Sequence, residues 1–189
     1  MTTYQDEWVK GRLVRKGTRE CANRYAMVKS VCSKIGRPFS VLDIGANMCY
    51  FGIRLTEDFE GCSVMAFEFN MFPRRKAVVK ANRADRVMLL KRKLSIGDVA
   101  LMSRVCRFDV ILALSVLHHT KGCGEGWVKA LIPMCAHLIV ELAQEDSARV
   151  KDPSAYSVPE QSTVLGYCES HLSPTIERPM IHIKGGLHS

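Results

Sequence analysis

Residues 41–52 read VLDIGANMCYFG, and they decide the fold. An apolar run ends at Asp43, a glycine follows at once, and an aromatic segment opens what reads as a helix. That is the form of a strand turning into a ligand-binding loop. A dinucleotide-binding turn carries three glycines as G-x-G-x-x-G, so that its backbone can approach a pyrophosphate. Here the window Gly45-Ala46-Asn47-Met48-Cys49-Tyr50 keeps one glycine, and Asp43 adds an anion beside the turn. The combination disfavours phosphate and favours a cationic or amine-bearing ligand.

Outward from this turn the chain alternates. Short apolar runs at 40–44, 63–69, 86–94, 108–117, 137–143 and 178–184 read as strands. Segments 49–58, 72–84, 97–106 and 126–135 read as helices, the last bent or ended near Pro133, and another helix is expected over 160–170. Continuous apolar strands alternating with helices of ~10 residues predict a parallel sheet covered on both faces. Right-handed crossovers then make it doubly wound, with ligands beyond the carboxyl ends of the strands. Ahead of this pattern, residues 5–35 show apolar positions near helical spacing and are expected to form two helices broken at Lys16-Gly17-Thr18.

With its 189 residues the chain suits one domain with a real core. We expect an N-terminal helical segment over 1–38, packed on a Rossmann-like domain over 39–189. No apolar run reaches the ~18 residues of a membrane span, and MTTYQDEWVK lacks the apolar region of a secretory signal. Eight scattered cysteines without C-x-x-C pairs point to reduced thiols in a cytoplasm and away from structural zinc. The net charge of +8 is uneven: residues 1–40 hold nine Lys/Arg against three acids, and residues 71–107 hold eleven against two. Such segments suit either a polyanionic partner such as RNA or solvated helix faces.

The segment Val41-Leu42-Asp43-Ile44-Gly45-Ala46-Asn47 resembles motif I of the class I S-adenosylmethionine (SAM)-dependent methyltransferases, in its D-x-G-A-N-x-G form. The resemblance covers about residues 19–145, and it departs from the family where Cys49 replaces the last glycine. It implies an α/β, doubly wound, mostly parallel Rossmann-like sheet with helices on both faces. The short tail after the last expected strand leaves little room for a seventh. It also implies SAM as cofactor. Asp43, Gly45, Ala46, Asn47, Tyr50 and Phe51 would form the first turn. Glu68, with Phe69 after it, would accept both ribose hydroxyls, a task suited to a carboxylate. Ser95 would serve the adenine side, and Ser115 would line the sulfonium side. Arg19 or Arg24 would reach the methionine carboxylate from a preceding helix, with Tyr25 packed against the cofactor.

Methyl transfer from a sulfonium needs alignment, plus a base when the acceptor carries a proton. The fourth core strand ends Ser115-Val116-Leu117-His118-His119, which resembles the V-L-H-H segment of methyltransferases acting on small molecules, glycans or modified tRNA bases. His119 is the first candidate base, with His118 and Glu141 beside it; no metal is expected. The chain lacks the [DNS]-P-P-[FYW] motif of exocyclic amine methylation, the Pro-Cys of cytosine C5 attack, and the Asp that ribose 2′-O enzymes place after the fourth strand. The expected function is methyl transfer to an O or N acceptor, with a small molecule or glycan slightly favoured. An RNA methyltransferase using the 71–107 edge and an inactive SAM-binding module are the alternatives. The acceptor and the oligomeric state stay open.

Overall fold

A computed structural model describes residues 3–70, 73–82, 85–120, 124–142, 167, 170–171 and 180–187. The helix expected over 160–170 falls almost wholly outside them. The chain divides into two compact units, Met1–Lys93 and Leu94–Ser189.

The first unit opens with a correction. Residues expected to be helical form a hairpin, β1 (Glu7–Val9) against antiparallel β2 (Arg12–Arg15). Its two-residue turn, Lys10-Gly11, has φ of 49° and 76°. Two consecutive left-handed residues match the right-handed twist of paired strands, so the turn overrides the helical spacing around it. The hairpin is bolted down by polar bonds: Trp8 Nε1 donates to Glu57 Oε2 at 2.6 Å, and the Asn82 side-chain amide donates to Trp8 O at 2.9 Å and accepts from Lys10 N–H at 2.7 Å. Gly17 follows where two stretches touch, since a Cβ there would lie 2.4 Å from the Gln5 carbonyl carbon. The second expected helix is present as α1 (Ala22–Cys32).

The rest of this unit is β3 (Phe39–Ile44), α2 (Tyr50–Asp58), β4 (Cys62–Glu68), α3 (Pro73–Ala81) and β5 (Val87–Lys91). β4 lies between β3 and β5 and is parallel to both, with Asp43 opposite Ala66 and Glu68 opposite Lys91. β3 carries buried residues in succession, as a strand covered on both faces must. Gly52 brings α2 close to the sheet: a Cβ at that position would lie 3.1 Å from Val64 Cγ1. The close-packing glycine missing at Cys49 is thus supplied one turn into the helix.

The second unit starts with α4 (Ile96–Val105), closed by a capping box in which Ser95 Oγ accepts from Asp98 N–H at 3.1 Å and Asp98 accepts from Ser95 N–H at 2.8 Å. Then come β6 (Phe108–Leu114), a 3-10 turn over Leu117–His119, α5 (Gly124–Leu131), a second 3-10 turn around Pro133, and β7 (Cys135–Glu141). β7 is parallel to β6 and antiparallel to β9 (Met180–Lys184), which pairs in turn with the two-residue β8 (Ser170–His171). The last strand, β9, is a full partner of β7. Gly185 turns the chain away so tightly that a Cβ there would fall 1.8 Å from Cys135 O.

Candidate functional site

In the first unit β3 and β4 end side by side. Gly45 leaves β3 with φ 73°, and its N–H and that of Ala46 both donate to Phe67 O, at 2.9 and 3.0 Å. Asn47 and Cys49 are also left-handed, with φ of 51° and 57°. A residue bearing a Cβ pays for that conformation, so two of them within three positions mark a loop whose shape is imposed by its surroundings. One tie is Gln5, whose Oε1 accepts from Met48 N–H at 3.1 Å. Another is Glu68: Asn47 N–H donates to its Oε2 at 2.8 Å, Asn70 N–H donates to its Oε1 at 2.7 Å, and Arg75 Nη1 sits 2.8 Å from the same Oε1. Arg75 also donates to Asn70 O.

Asp43 is buried, and its Oδ2 has no hydrogen-bond partner among the described residues. Burial, reinforced by the Glu68 charge and opposed by Arg24, pushes its carboxyl up to about 7. Arg24 is buried as well, with its guanidinium 5.1 Å from the Phe51 ring centroid. Such a sub-surface carboxylate is costly unless a donor or a cation meets it.

The remaining expected cofactor residues of this unit have definite surroundings. Tyr25 OH donates to Asp58 at 2.6 Å, and its ring meets Tyr50 edge-on at 6.2 Å. Arg54 stacks over Trp8 and Tyr25 at 4.0 and 4.3 Å and donates to Tyr50 OH at 3.0 Å. Tyr25 and Tyr50 thus share a cation–aromatic cluster with the hairpin. Phe69 is 59% exposed, with Lys93 Nζ 5.7 Å from its ring. Arg19 donates its backbone N–H to Tyr4 O at 3.0 Å.

The second unit holds the residues expected to do proton chemistry. Ser115, left-handed at φ 55°, donates its hydroxyl to Glu141 Oε2. Glu141 is fully buried and opposite Leu114 in the β6–β7 register. The 3-10 turn brings the His118 and His119 rings together, with centroids 4.0 Å apart and planes tilted by 48°; His118 is buried and His119 exposed. Ser95 is the N-cap of α4, its hydroxyl engaged with Asp98.

Sequence reading missed three contributors. Arg75 hid within a triplet that looks like surface charge, Gln5 within an expected helix, and Gly52 past the motif. The basic segment 71–107 also looks different in place. Arg74 is ion-paired with Glu7 at 2.7 Å, and Arg75 with Glu68. Arg86 donates to the carbonyls of Phe59 at 2.9 Å and Cys62 at 3.2 Å, and Arg107 to those of Ser103 and Cys106, each at 2.8 Å. These four cations bind their own chain; Lys91, Arg92 and Lys93 are exposed.

The fold is that of the class I SAM-dependent methyltransferases: α/β, Rossmann-like and mostly parallel. Among solved structures, monomeric WbdD matches with TM-score 0.69 and 20% identity, over 89% of this chain and 42% of that one. WbdD is described as a bifunctional kinase-methyltransferase, and this chain spans about two-fifths of its length. The Burkholderia thailandensis 1,6-didemethyltoxoflavin-N1-methyltransferase, with bound 1,6-didemethyltoxoflavin and S-adenosylhomocysteine, matches with TM-score 0.61 and 16% identity, over 87% of this chain and 78% of that one. Magnesium protoporphyrin IX methyltransferase from Synechocystis PCC 6803, with bound S-adenosylhomocysteine, matches with TM-score 0.64 and 13% identity, over 88% and 83%. No protein-family model and no curated protein sequence matches the chain significantly. No helix among the described residues is long and apolar enough to cross a membrane.

Proposed function

We propose that the chain is a SAM-dependent methyltransferase acting on an O or N atom of a small molecule or glycan. The observation that carries the reading is that the buried Asp43 Oδ2, at the end of β3 and one strand over from Glu68, lacks a hydrogen-bond partner among the described residues. Asp43 would meet the amino-acid part of the cofactor through a cationic donor, and Glu68 would accept from its ribose. The Gly45–Cys49 loop would cover the join. When bound, SAM supplies an electrophilic methyl group on a sulfonium.

This chain's own residues have three tasks. The first unit binds and orients, through Asp43, the left-handed loop and Glu68. His119, exposed after β6, takes the acceptor's proton, a task suited to an imidazole near neutral pH. Ser115 and Glu141 hold one another and fix the backbone that leads into the histidine turn. The named acceptor of the toxoflavin enzyme and the porphyrin of the Synechocystis enzyme support a small-molecule acceptor. The ion pairs of Arg74 with Glu7 and of Arg75 with Glu68 reduce the free charge that an RNA partner would use. Free cysteines, six among the described residues, support a reducing, cytoplasmic setting.

Calorimetric titration with SAM and S-adenosylhomocysteine tests the reading, with Asp43→Asn as the comparison. Binding by the wild type and at least ten-fold weaker binding by the variant are expected. No binding by the wild type overturns the cofactor assignment. Methyl transfer from labelled SAM to candidate acceptors then separates an enzyme from a SAM-binding module, and His119→Ala should flatten the pH dependence of turnover.

A further inference from the structure

Glu68 is already engaged. A carboxylate offers about four acceptor positions, two on each oxygen. Three are filled: Asn70 N–H and Arg75 Nη1 take both on Oε1, at 2.7 and 2.8 Å, and Asn47 N–H takes one on Oε2, at 2.8 Å. Arg75 does not swing freely, because it is only 9% exposed and also donates to Asn70 O. A ribose diol read by both oxygens of one carboxylate needs an open position on each. Here just one remains among the described residues, and it is on Oε2.

We infer that Arg75 is a specificity-determining residue that restricts Glu68 to a single ribose hydroxyl. The inference rests on the proposed cofactor reading and deepens it. Arg75 holds Oε1 from the helix after β4, while the two backbone N–H groups fix the carboxylate's plane. The hydroxyl that reaches Oε2 is recognised; its neighbour gains nothing from Glu68. Removing the guanidinium leaves the carboxylate held by Asn47 and Asn70 and opens a position on Oε1. The second hydroxyl then becomes readable.

The test is calorimetric titration with S-adenosylhomocysteine and its 2′-deoxy and 3′-deoxy analogues. Wild type, Arg75→Met and Glu68→Gln are compared, each checked for folding by circular dichroism. A hydrogen bond to a charged group is worth about ten-fold or more in affinity. Wild type should therefore bind one deoxy analogue about ten-fold more weakly than the parent through Glu68, and Glu68→Gln should reduce that one discrimination only. Arg75→Met should create or enlarge discrimination against the other analogue. Should Glu68→Gln reduce both discriminations, or should wild type show neither, the inference is overturned while the cofactor reading stands. Absence of any binding by the parent compound overturns both. If Arg75→Met does not fold, the wild-type and Glu68→Gln comparison decides.

Discussion

Replacing Asp43 by Asn should stabilise the ligand-free protein, and increasingly so as the pH rises. Asp43 is 2% exposed, and its carboxyl is raised from 3.8 to about 7, by burial first and by the Glu68 charge second. A raised carboxyl gives the folded state more protons than the unfolded one between those two values, so stability falls with pH across that window. Below pH 3.8 both states are protonated and the group costs nothing. Above pH 7 both are ionised and the full cost applies, up to about 4 kcal/mol at ~1.4 kcal/mol per pH unit. At pH 5 the cost is already about 1.5 kcal/mol, which leaves roughly 3 kcal/mol to appear between pH 5 and 8.5. Urea unfolding of both proteins at those two pH values measures it. The advantage of Asp43→Asn should grow by about 3 kcal/mol, reduced by whatever the orphaned amide costs. A difference independent of pH would refute the electrostatic argument. If a cationic donor of SAM meets Asp43, binding at pH 7 should also release a proton, visible as a dependence of the calorimetric heat on the buffer's ionisation enthalpy.

Three further outcomes follow from geometry. Gly185→Ala should destabilise by more than about 4 kcal/mol by thermal or urea unfolding, because its Cβ would overlap the Cys135 backbone. Cys49→Gly should change stability by no more than about 1 kcal/mol, since relief of the left-handed strain offsets the lost thiol burial, while Cys49→Val should cost about 3 kcal/mol. Arg54→Ala should cost about 2 kcal/mol in urea unfolding through the loss of its stacking on Trp8 and Tyr25 and its bond to Tyr50.

The core strands were legible because buried parallel strands write themselves as apolar runs: those expected at 40–44, 63–69 and 108–117 are found at Phe39–Ile44, Cys62–Glu68 and Phe108–Leu114. The Asp43-Ile44-Gly45 turn was legible for the same reason, since it follows the first of them. The hairpin was not. Its apolar residues fall by accident near helical spacing, and its decisive signal is a Lys-Gly pair that must be read as two left-handed residues. Arg75 was illegible because composition counts a buried ion pair as charge available to a partner. The state of Glu68 was equally hidden, since spacing can place a carboxylate without showing which of its lone pairs are taken.

The hairpin has a consequence for the order in which the molecule is made. Its partners, Glu57, Arg74 and Asn82, leave the ribosome dozens of residues after Trp8 and Glu7 do. The hairpin segment must therefore wait for them, and Gln5 cannot clasp the Met48 amide until that later residue has been made. The bend that would embrace the methyl donor is thus completed by a stretch made before the bend itself.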